Sequence, residues 1–219
     1  MIDLSKYRLI DLSYELVPGE RLEDGRYLHG EPLFGRSVEV EEFHAYNARM
    51  HFIQAQTHTG THVEAPYKYA DNKADIGSMP VESYIGEAVV CDFSNVAQGN
   101  PIGPEELLRA GVRAKDIVLL RSSYEIHGEE PFLTFEAIEW LIGLPIKAIG
   151  MENVGHSPPG TPFGPKDGDG KFLLAGIPFL DALTGLDQIT KPRVFLIALP
   201  VRMRRVTASW TRAIALEEI

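Results

Sequence analysis

The residue types best suited to chemistry are concentrated in one short stretch of the chain. His58, His62 and Glu64 bring two imidazoles and one carboxylate within seven residues. Because Gly60 permits a tight turn, the backbone can fold the two imidazoles together. His62 and Glu64 stand two positions apart in an extended segment, so their side chains project from the same side. These nitrogen and oxygen donors suit zinc or manganese and leave positions open for water and a substrate.

Histidine is unevenly distributed, because four of the seven histidines fall within 19 residues. The four are His44, His51, His58 and His62. His58 and His62 have two interpretations. They are either ligands of a metal site or a pair of hydrogen-bonded loop histidines. If a metal is bound, nearby threonine hydroxyls can orient the ring nitrogens that do not ligate it. The candidate threonines are Thr57, Thr59 and Thr61.

Several segments have the patterns of the strands that must position this stretch. Leu9–Leu16 alternates apolar and polar residues like a half-buried strand and ends at turn residues 17–20. Ser37–His44 and Arg49–Gln56 predict a strand pair that leads directly into the histidine stretch. Four further apolar runs are typical of strands covered on both faces. These runs are 88–93, 117–121, 146–150 and 194–200.

Three segments carry helix signals. Pro104–Ala110 begins with proline at a first-turn position and is followed by glycine. Thr134 can cap a helix over Phe135–Ile142, with an acidic residue in the first turn. Pro178–Thr184 is the third candidate. Together the patterns predict an α/β fold with mixed sheets in a single domain over residues 1–219.

Composition narrows the possible partners. With 44% hydrophobic and 24% charged residues, 219 residues can build one sizeable core, which excludes a disordered chain. The formal charge of −10 and the lack of a basic run make nucleic acid and membrane surfaces poor partners. No stretch approaches the ~18 apolar residues of a membrane span, and we expect a cytoplasmic protein.

The single cysteine limits the kind of metal site. Cys91 cannot form an intramolecular disulfide, and its apolar surroundings predict a small core residue. A metal must therefore be held by imidazole and carboxylate rather than thiolate. This favours an open catalytic site over a closed structural one.

The stretch 57–66 resembles the signature of the cyclase or kynurenine formamidase-like family of metal-dependent hydrolases, which reads H-x-G-T-H-x-D-x-P-x-H. Leu9–Ser13, Asp116–Arg121 and Thr211–Leu216 resemble that family's opening, central and closing segments. The resemblance implies a swivelling β/β/α fold and a homodimer or homotetramer. It also implies hydrolysis of an amide or lactam-like bond in a small aromatic substrate. The family's metal ligands correspond to His58, His62 and Glu64, with Glu64 in the Asp position.

Two departures from the family pattern concern the metal. The last histidine of the signature is Lys68 here. A lysine acts as a general base only if its pKa is lowered; otherwise it can hold a substrate carboxylate or a developing oxyanion, or lie solvated at the surface. Downstream, Asp181 falls at the place of a family Glu and is a candidate ligand, but Asp169 or Gly170 stands where a His is expected. The loss of an imidazole predicts one metal ion rather than two.

A third departure lies at residues 150–157. Glu152 replaces an Asp of the family pattern, and His156 is an addition. We hypothesise that His156 supplies the missing imidazole. The irregular segment that follows is of a kind that often forms a functional lid.

The sequence thus predicts a hydrolase in which a divalent ion, zinc or manganese, activates water against an amide carbon. Glu152 or Asp181 would shuttle the proton. Phe52, Tyr67 and Tyr124 are candidates to pack a planar substrate. Three alternatives remain open: a family member with a degenerate site and a different or lost activity, a non-haem iron enzyme, and a non-catalytic module.

Overall fold

The computed structural model describes residues 3–16, 38–124 and 130–219, which contain thirteen strands and three α-helices. The strands are β1 Tyr7–Asp11, β2 Val38–Ala45, β3 Ala48–Ala55, β4 His62–Glu64, β5 Ile85–Asp92, β6 Pro101–Ile102, β7 Ile117–Arg121, β8 Phe132–Leu133, β9 Ala148–Glu152, β10 Phe179–Asp181, β11 Arg193–Ile197, β12 Ala208–Trp210 and β13 Ile214–Glu218. The helices are α1 Pro104–Arg109, α2 Phe135–Gly143 and α3 Gly168–Leu174. The turn predicted at 17–20 lies outside the described residues.

Nine of these strands form one mixed sheet in the order β1-β13-β11-β5-β7-β9-β10-β4-β12. The four neighbours β5, β7, β9 and β10 run parallel, and the outer pairs are antiparallel. Strands from both ends of the chain pair with each other, with Tyr7 opposite Glu218 and Asp11 opposite Ile214. The predicted α/β fold with a mixed sheet is confirmed.

The central strands are covered on both faces, as predicted. Val118 and Leu120 of β7 belong to a core shared with the three helices, which we call the helix-side core. Ile117 and Leu119 of the same strand belong to a second core made mainly by strands, which we call the inner core. Because alternate residues of a strand point to opposite faces, this division shows a sheet buried on both sides.

The sheet curls around the inner core. Ile10 of β1 and Val63 of β4 both lie in this core, although their strands are far apart in the sheet order. Just after β1, the Tyr14 amide donates to the Thr61 hydroxyl at 2.9 Å. The curl therefore brings the segment after β1 against the loop that carries the candidate histidines.

The helix predicted at 178–184 is wrong. Phe179–Asp181 is strand β10, which pairs with β9 on one side and β4 on the other. Phe179 and Leu180 are buried in the two different cores, so packing overrides the local helical signals. A helix lies upstream instead, because Asp167 caps α3 by accepting the Gly170 amide at 3.0 Å. Glycines are poor helix formers, and the glycines of α3 explain why the sequence pattern does not predict this helix.

The remaining elements follow the predictions closely. Thr134 caps α2 by accepting the Ala137 amide at 3.1 Å, and α1 begins at Pro104 as expected. Strands β2 and β3 form a separate two-stranded hairpin. β1 ends at Asp11, earlier than predicted, because Ser13 bridges to Leu183 instead of continuing along β13. Within the described residues, no helix has the length and apolar character needed to cross a membrane.

Gly168 marks the closest approach of α3 to the loop after β9, and we expect Gly168→Ala to displace this helix. A Cβ at Gly168 would lie 1.6 Å from the carbonyl oxygen of His156, a backbone atom that cannot rotate away. The free energy of unfolding should fall by about 2 kcal/mol or more. Gly143→Ala is the matched control, since Gly143 has open space around it, and should change stability by less than about 1 kcal/mol. Chemical denaturation measures both variants, and equal stabilities would contradict this packing.

Candidate metal centre and active site

Strand β4 places its two polar side chains on the helix side of the sheet. Val63 lies in the inner core, so its neighbours His62 and Glu64 point to the opposite face. The adjacent strands place Asp181 of β10 and Trp210 of β12 in register with His62. His62 and Glu64 therefore project from one side, as the spacing predicts.

The ring of His62 is buried and held in one orientation. Its Nδ1 lies 2.7 Å from the carbonyl oxygen of Gly60, which makes Nδ1 the hydrogen-bond donor. Its Nε2 faces Glu64 Oε1 at 3.4 Å. Gly60 has a φ of +62°, and a Cβ there would lie 2.4 Å from the Leu16 side chain. Glycine is therefore required at the turn that supplies the carbonyl.

His58 meets the same carboxylate from the loop before β4. Its Nδ1 lies 2.6 Å from Glu64 Oε1, and its Nε2 lies 2.9 Å from the hydroxyl of Thr207. One ligand atom from each of His58, His62 and Glu64 lies within 4.8 Å of the other two. We call these three residues the first donor set.

The first donor set fits a divalent metal. Each imidazole has one nitrogen hydrogen-bonded to the protein and the other directed at Glu64. Metal-binding histidines show this arrangement, because the bonded nitrogen fixes the tautomer and the ring orientation. Two nitrogens and one oxygen leave coordination positions open for a substrate and water, as in catalytic rather than structural sites.

Glu64 is ionised although it is buried. Its side chain is 3% exposed, and burial alone would favour the neutral acid. Hydrogen bonds from His58 and His62 and the charge of Lys68 outweigh burial and hold the pKa of Glu64 well below its ordinary value. The bond to Glu64 and the charge of Asp181 in turn raise the pKa of His62, against the effect of burial. A metal and a proton therefore compete for Nε2 of His62.

Lys68 is the last residue of a short 3-10 turn, Pro66–Lys68. Its side chain lies within the site and is not solvated at the surface. Its side chain is 13% exposed. Nζ donates to the two oxygens of Glu64 at 3.0 and 2.9 Å and to Asp169 Oδ2 at 2.6 Å. Burial opposes the cation, but the charges of Glu64 and Asp169 raise the pKa of Lys68 above its ordinary value. The two carboxylates therefore favour the ammonium form of Lys68, which has no lone pair with which to act as a general base.

A second donor group lies on the other side of Lys68. It consists of His156, Asp167 and Asp169, each with a ligand atom within 4.8 Å of the others. Burial and a hydrogen bond with Asp167 raise the pKa of Asp169 to about 7, against the charge of Lys68. The imidazole of His156 thus lies in this second group and not in the first donor set.

The two remaining predicted carboxylates lie in different places. Asp181 Oδ2 is 3.7 Å from His62 Nε2, and the Asp181 side chain is half exposed, so it borders the first donor set. Glu152 instead accepts the amides of Gly185 at 3.0 Å and Leu186 at 2.7 Å. Burial raises the pKa of Glu152, against these two hydrogen bonds. The contacts of Glu152 hold the turn at 185–186.

Thr207 and Asp167 are site residues that the sequence reasoning missed. Thr207 reaches His58 because β12 pairs with β4, and no local pattern in the sequence signals that contact. Of the threonines predicted to orient the rings, Thr61 instead donates to the Ala182 carbonyl at 2.6 Å.

Two aromatic residues near the site were not among those predicted. The ring of Phe163, 73% exposed, lies 4.8 Å from Lys68 Nζ. Phe179 packs edge-on against the ring of His156, with centroids 6.2 Å apart. Phe52, one of the predicted candidates, lies on the β2–β3 hairpin and stacks on Phe43.

Known proteins resemble this chain over most of its length. A kynurenine formamidase of Erythrobacter litoralis is 29% identical over 219 residues, which cover 97% of this chain and 95% of that protein. The solved isatin hydrolase A of Labrenzia aggregata, bound to benzyl benzoate, is 26% identical with a TM-score of 0.79, covering 98% of this chain and 95% of that one. A structure described as a potential metal-dependent hydrolase with cyclase activity has 17% identity and a TM-score of 0.73, over 97% and 99% of the two chains.

The family match covers the first donor set. The model of the family described as putative cyclase matches residues 10–157, which include His58, His62 and Glu64. Asp169, Asp181 and Thr207 lie beyond the matched range. Because the match spans more than half of the chain, the protein belongs to the putative cyclase family.

Proposed function

We propose that the protein is a metal-dependent hydrolase that cleaves an amide, lactam or related bond in a small aromatic substrate. The observation that carries this proposal is the convergence of His58, His62 and Glu64 with both imidazoles already oriented. The kynurenine formamidase and isatin hydrolase relatives support the reaction class. Its location in the cytoplasm stays a prediction.

The metal is one zinc or manganese ion, with Asp181 as a further ligand beside the first donor set. Asp181 supports this role because its Oδ2 lies 3.7 Å from His62 Nε2. When bound, such an ion would polarise the substrate carbonyl and lower the pKa of a bound water molecule to about 7.

The surrounding residues prepare this chemistry. The Gly60 carbonyl and the Thr207 hydroxyl orient the two imidazoles. Lys68 keeps Glu64 ionised by donating to both of its oxygens. Asp181, half exposed at the border of the site, is the carboxylate through which a proton can pass to solvent. Roles of Glu152 and His156 in the reaction stay predictions.

An aromatic substrate is supported by the rings around the site. Phe163 is largely exposed next to Lys68, and Trp210 stands in register with His62 on the neighbouring strand. An exposed ring and a half-buried ring beside polar groups suit a planar ligand with one polar end, because their faces pack the ligand ring while the polar groups orient it.

Loss of a first-set ligand tests the function directly. Metal-loaded protein should hydrolyse an aryl formamide, and His62→Ala should lose both turnover and bound metal, because Nε2 is a proposed ligand. Elemental analysis and a spectroscopic formamidase assay measure the two quantities. His44→Ala, a histidine exposed on the hairpin, is the matched control and should retain both.

Turnover that survives His62→Ala would refute this mechanism. Iron as the natural metal, with oxygen consumption, would favour the non-haem iron alternative instead. Protein that binds no metal and remains stable would favour a non-catalytic module.

Thr207→Val tests how the imidazole of His58 is positioned. Losing the hydroxyl at 2.9 Å should weaken zinc affinity roughly 10- to 100-fold, since partners of ligating histidines fix their orientation. Thr57→Val is the control, because the Thr57 hydroxyl shows no hydrogen bond among the described residues. Competition with a chromophoric chelator measures the affinities, and equal affinities of both variants would contradict the role of Thr207.

We further propose that two or four copies of the chain assemble through the β2–β3 hairpin. Phe52 and Ile53 on β3 are 64% and 59% exposed, and an isolated two-stranded hairpin is only marginally stable in water. Such apolar exposure supports burial against a second copy.

Phe52→Ser should therefore reduce the molecular mass in solution, because it removes the largest exposed apolar side chain of β3. Light scattering after size exclusion measures the mass. Leu108→Ser is the matched control, since Leu108 on α1 is also 64% exposed, and should leave the mass unchanged. A monomeric wild-type protein would contradict the proposed assembly.

A further inference from the structure

Lys68 separates two groups of metal-type donors. On one side lies the first donor set, reached through Glu64, and on the other the second donor group, reached through Asp169. Each group offers imidazole and carboxylate atoms within 4.8 Å of one another. A positive charge already stands between them, in the form of the ammonium of Lys68.

The ammonium is enclosed rather than exposed to solvent. Nζ lies 2.9 and 3.0 Å from the Glu64 oxygens and 2.6 Å from Asp169 Oδ2. The rings of Tyr69 and Phe163 lie 5.1 and 4.8 Å from Nζ. The hydroxyl of Tyr69 also donates to Asp169 Oδ2 at 3.1 Å. Carboxylate oxygens and aromatic faces on several sides make a cage for a cation.

Lys68 has no hydrogen-bond donor to spare for a substrate. An ammonium carries three N–H bonds, and Nζ contacts three carboxylate oxygens. Holding a substrate carboxylate or an oxyanion would therefore break an ion pair inside the site. The contacts favour a role toward the protein's own carboxylates.

We propose that the ammonium of Lys68 takes the place of a second divalent cation, so that the protein binds one metal ion per chain. The inference rests on the proposed function, because it assumes that the first donor set holds a metal. Glu64 and Asp169 are the two carboxylates that a second ion would share, and Lys68 binds both.

Charge supports a single ion. A second divalent ion would lie within a few ångströms of the fixed ammonium and would be repelled by it. It would also compete for Asp169 Oδ2, which Nζ already contacts at 2.6 Å.

Zinc stoichiometry tests the proposal without relying on activity. Equilibrium dialysis of the full chain, followed by elemental analysis, should give one zinc ion per chain for the wild type at saturation. Lys68→Met, which is similar in length but neutral, should bind two ions per chain. Lys68→Arg keeps the charge and should bind one. Lys68→Met combined with Asp169→Asn should return to one ion, because the shared carboxylate is lost.

The result that overturns the proposal is two zinc ions in the wild type or one in folded Lys68→Met, with folding monitored by circular dichroism. If Lys68→Met requires zinc to fold, the second ion replaces the missing charge, as expected. If it stays unfolded at saturating zinc, the proposal is overturned, because the ion does not substitute for the ammonium. A wild-type protein that binds no zinc would instead refute the proposed function.

Discussion

The structure of the site depends on the burial of one carboxylate. Glu64 is the last residue of the short strand β4, and its side chain is 3% exposed. A buried carboxylate is strongly unfavourable unless charges and hydrogen bonds compensate it. Here His58, His62 and Lys68 all direct nitrogen atoms at its oxygens. The need to compensate this charge explains why a lysine and two imidazoles are gathered at one point.

The rest of the fold supplies the elements that hold those nitrogens in place. Pairing of β12 with β4 brings Thr207 to His58, and pairing of β10 with β4 brings Asp181 beside His62. Helix α3 carries Asp169 to the far side of Lys68. The curled sheet presses the segment after β1 onto the loop that contains Gly60. Residues distant in sequence therefore meet around one short strand.

The central part of this arrangement could be predicted from sequence because it is local. Spacing alone places His62 and Glu64 on one side, and a glycine turn allows His58 to approach them. The β2–β3 hairpin, α1 and α2 could also be predicted from the sequence, because turn residues and helix caps act on neighbouring positions. The family signature added the expectation of a metal and identified Lys68 as a departure.

What could not be predicted depends on tertiary pairing. The segment 178–184 has a helical pattern, but its place between β9 and β4 makes it a strand. Thr207 carries no local signal, because its role exists only through the register of β12. The sequence alone likewise does not distinguish three roles for Lys68, which are a general base, a group that holds a substrate anion, and a solvated surface residue. The position of Asp169 in the fold shows that the ammonium of Lys68 forms ion pairs with carboxylates of the protein itself.

The most direct test of the central claim is an anomalous difference map at the zinc absorption edge from crystals of the zinc-loaded protein. A peak within bonding distance of His58 Nδ1, His62 Nε2 and Glu64, with Lys68 Nζ retained between Glu64 and Asp169, is the predicted result. No peak at these atoms, or a peak held by other residues, would contradict a metal centre built on β4.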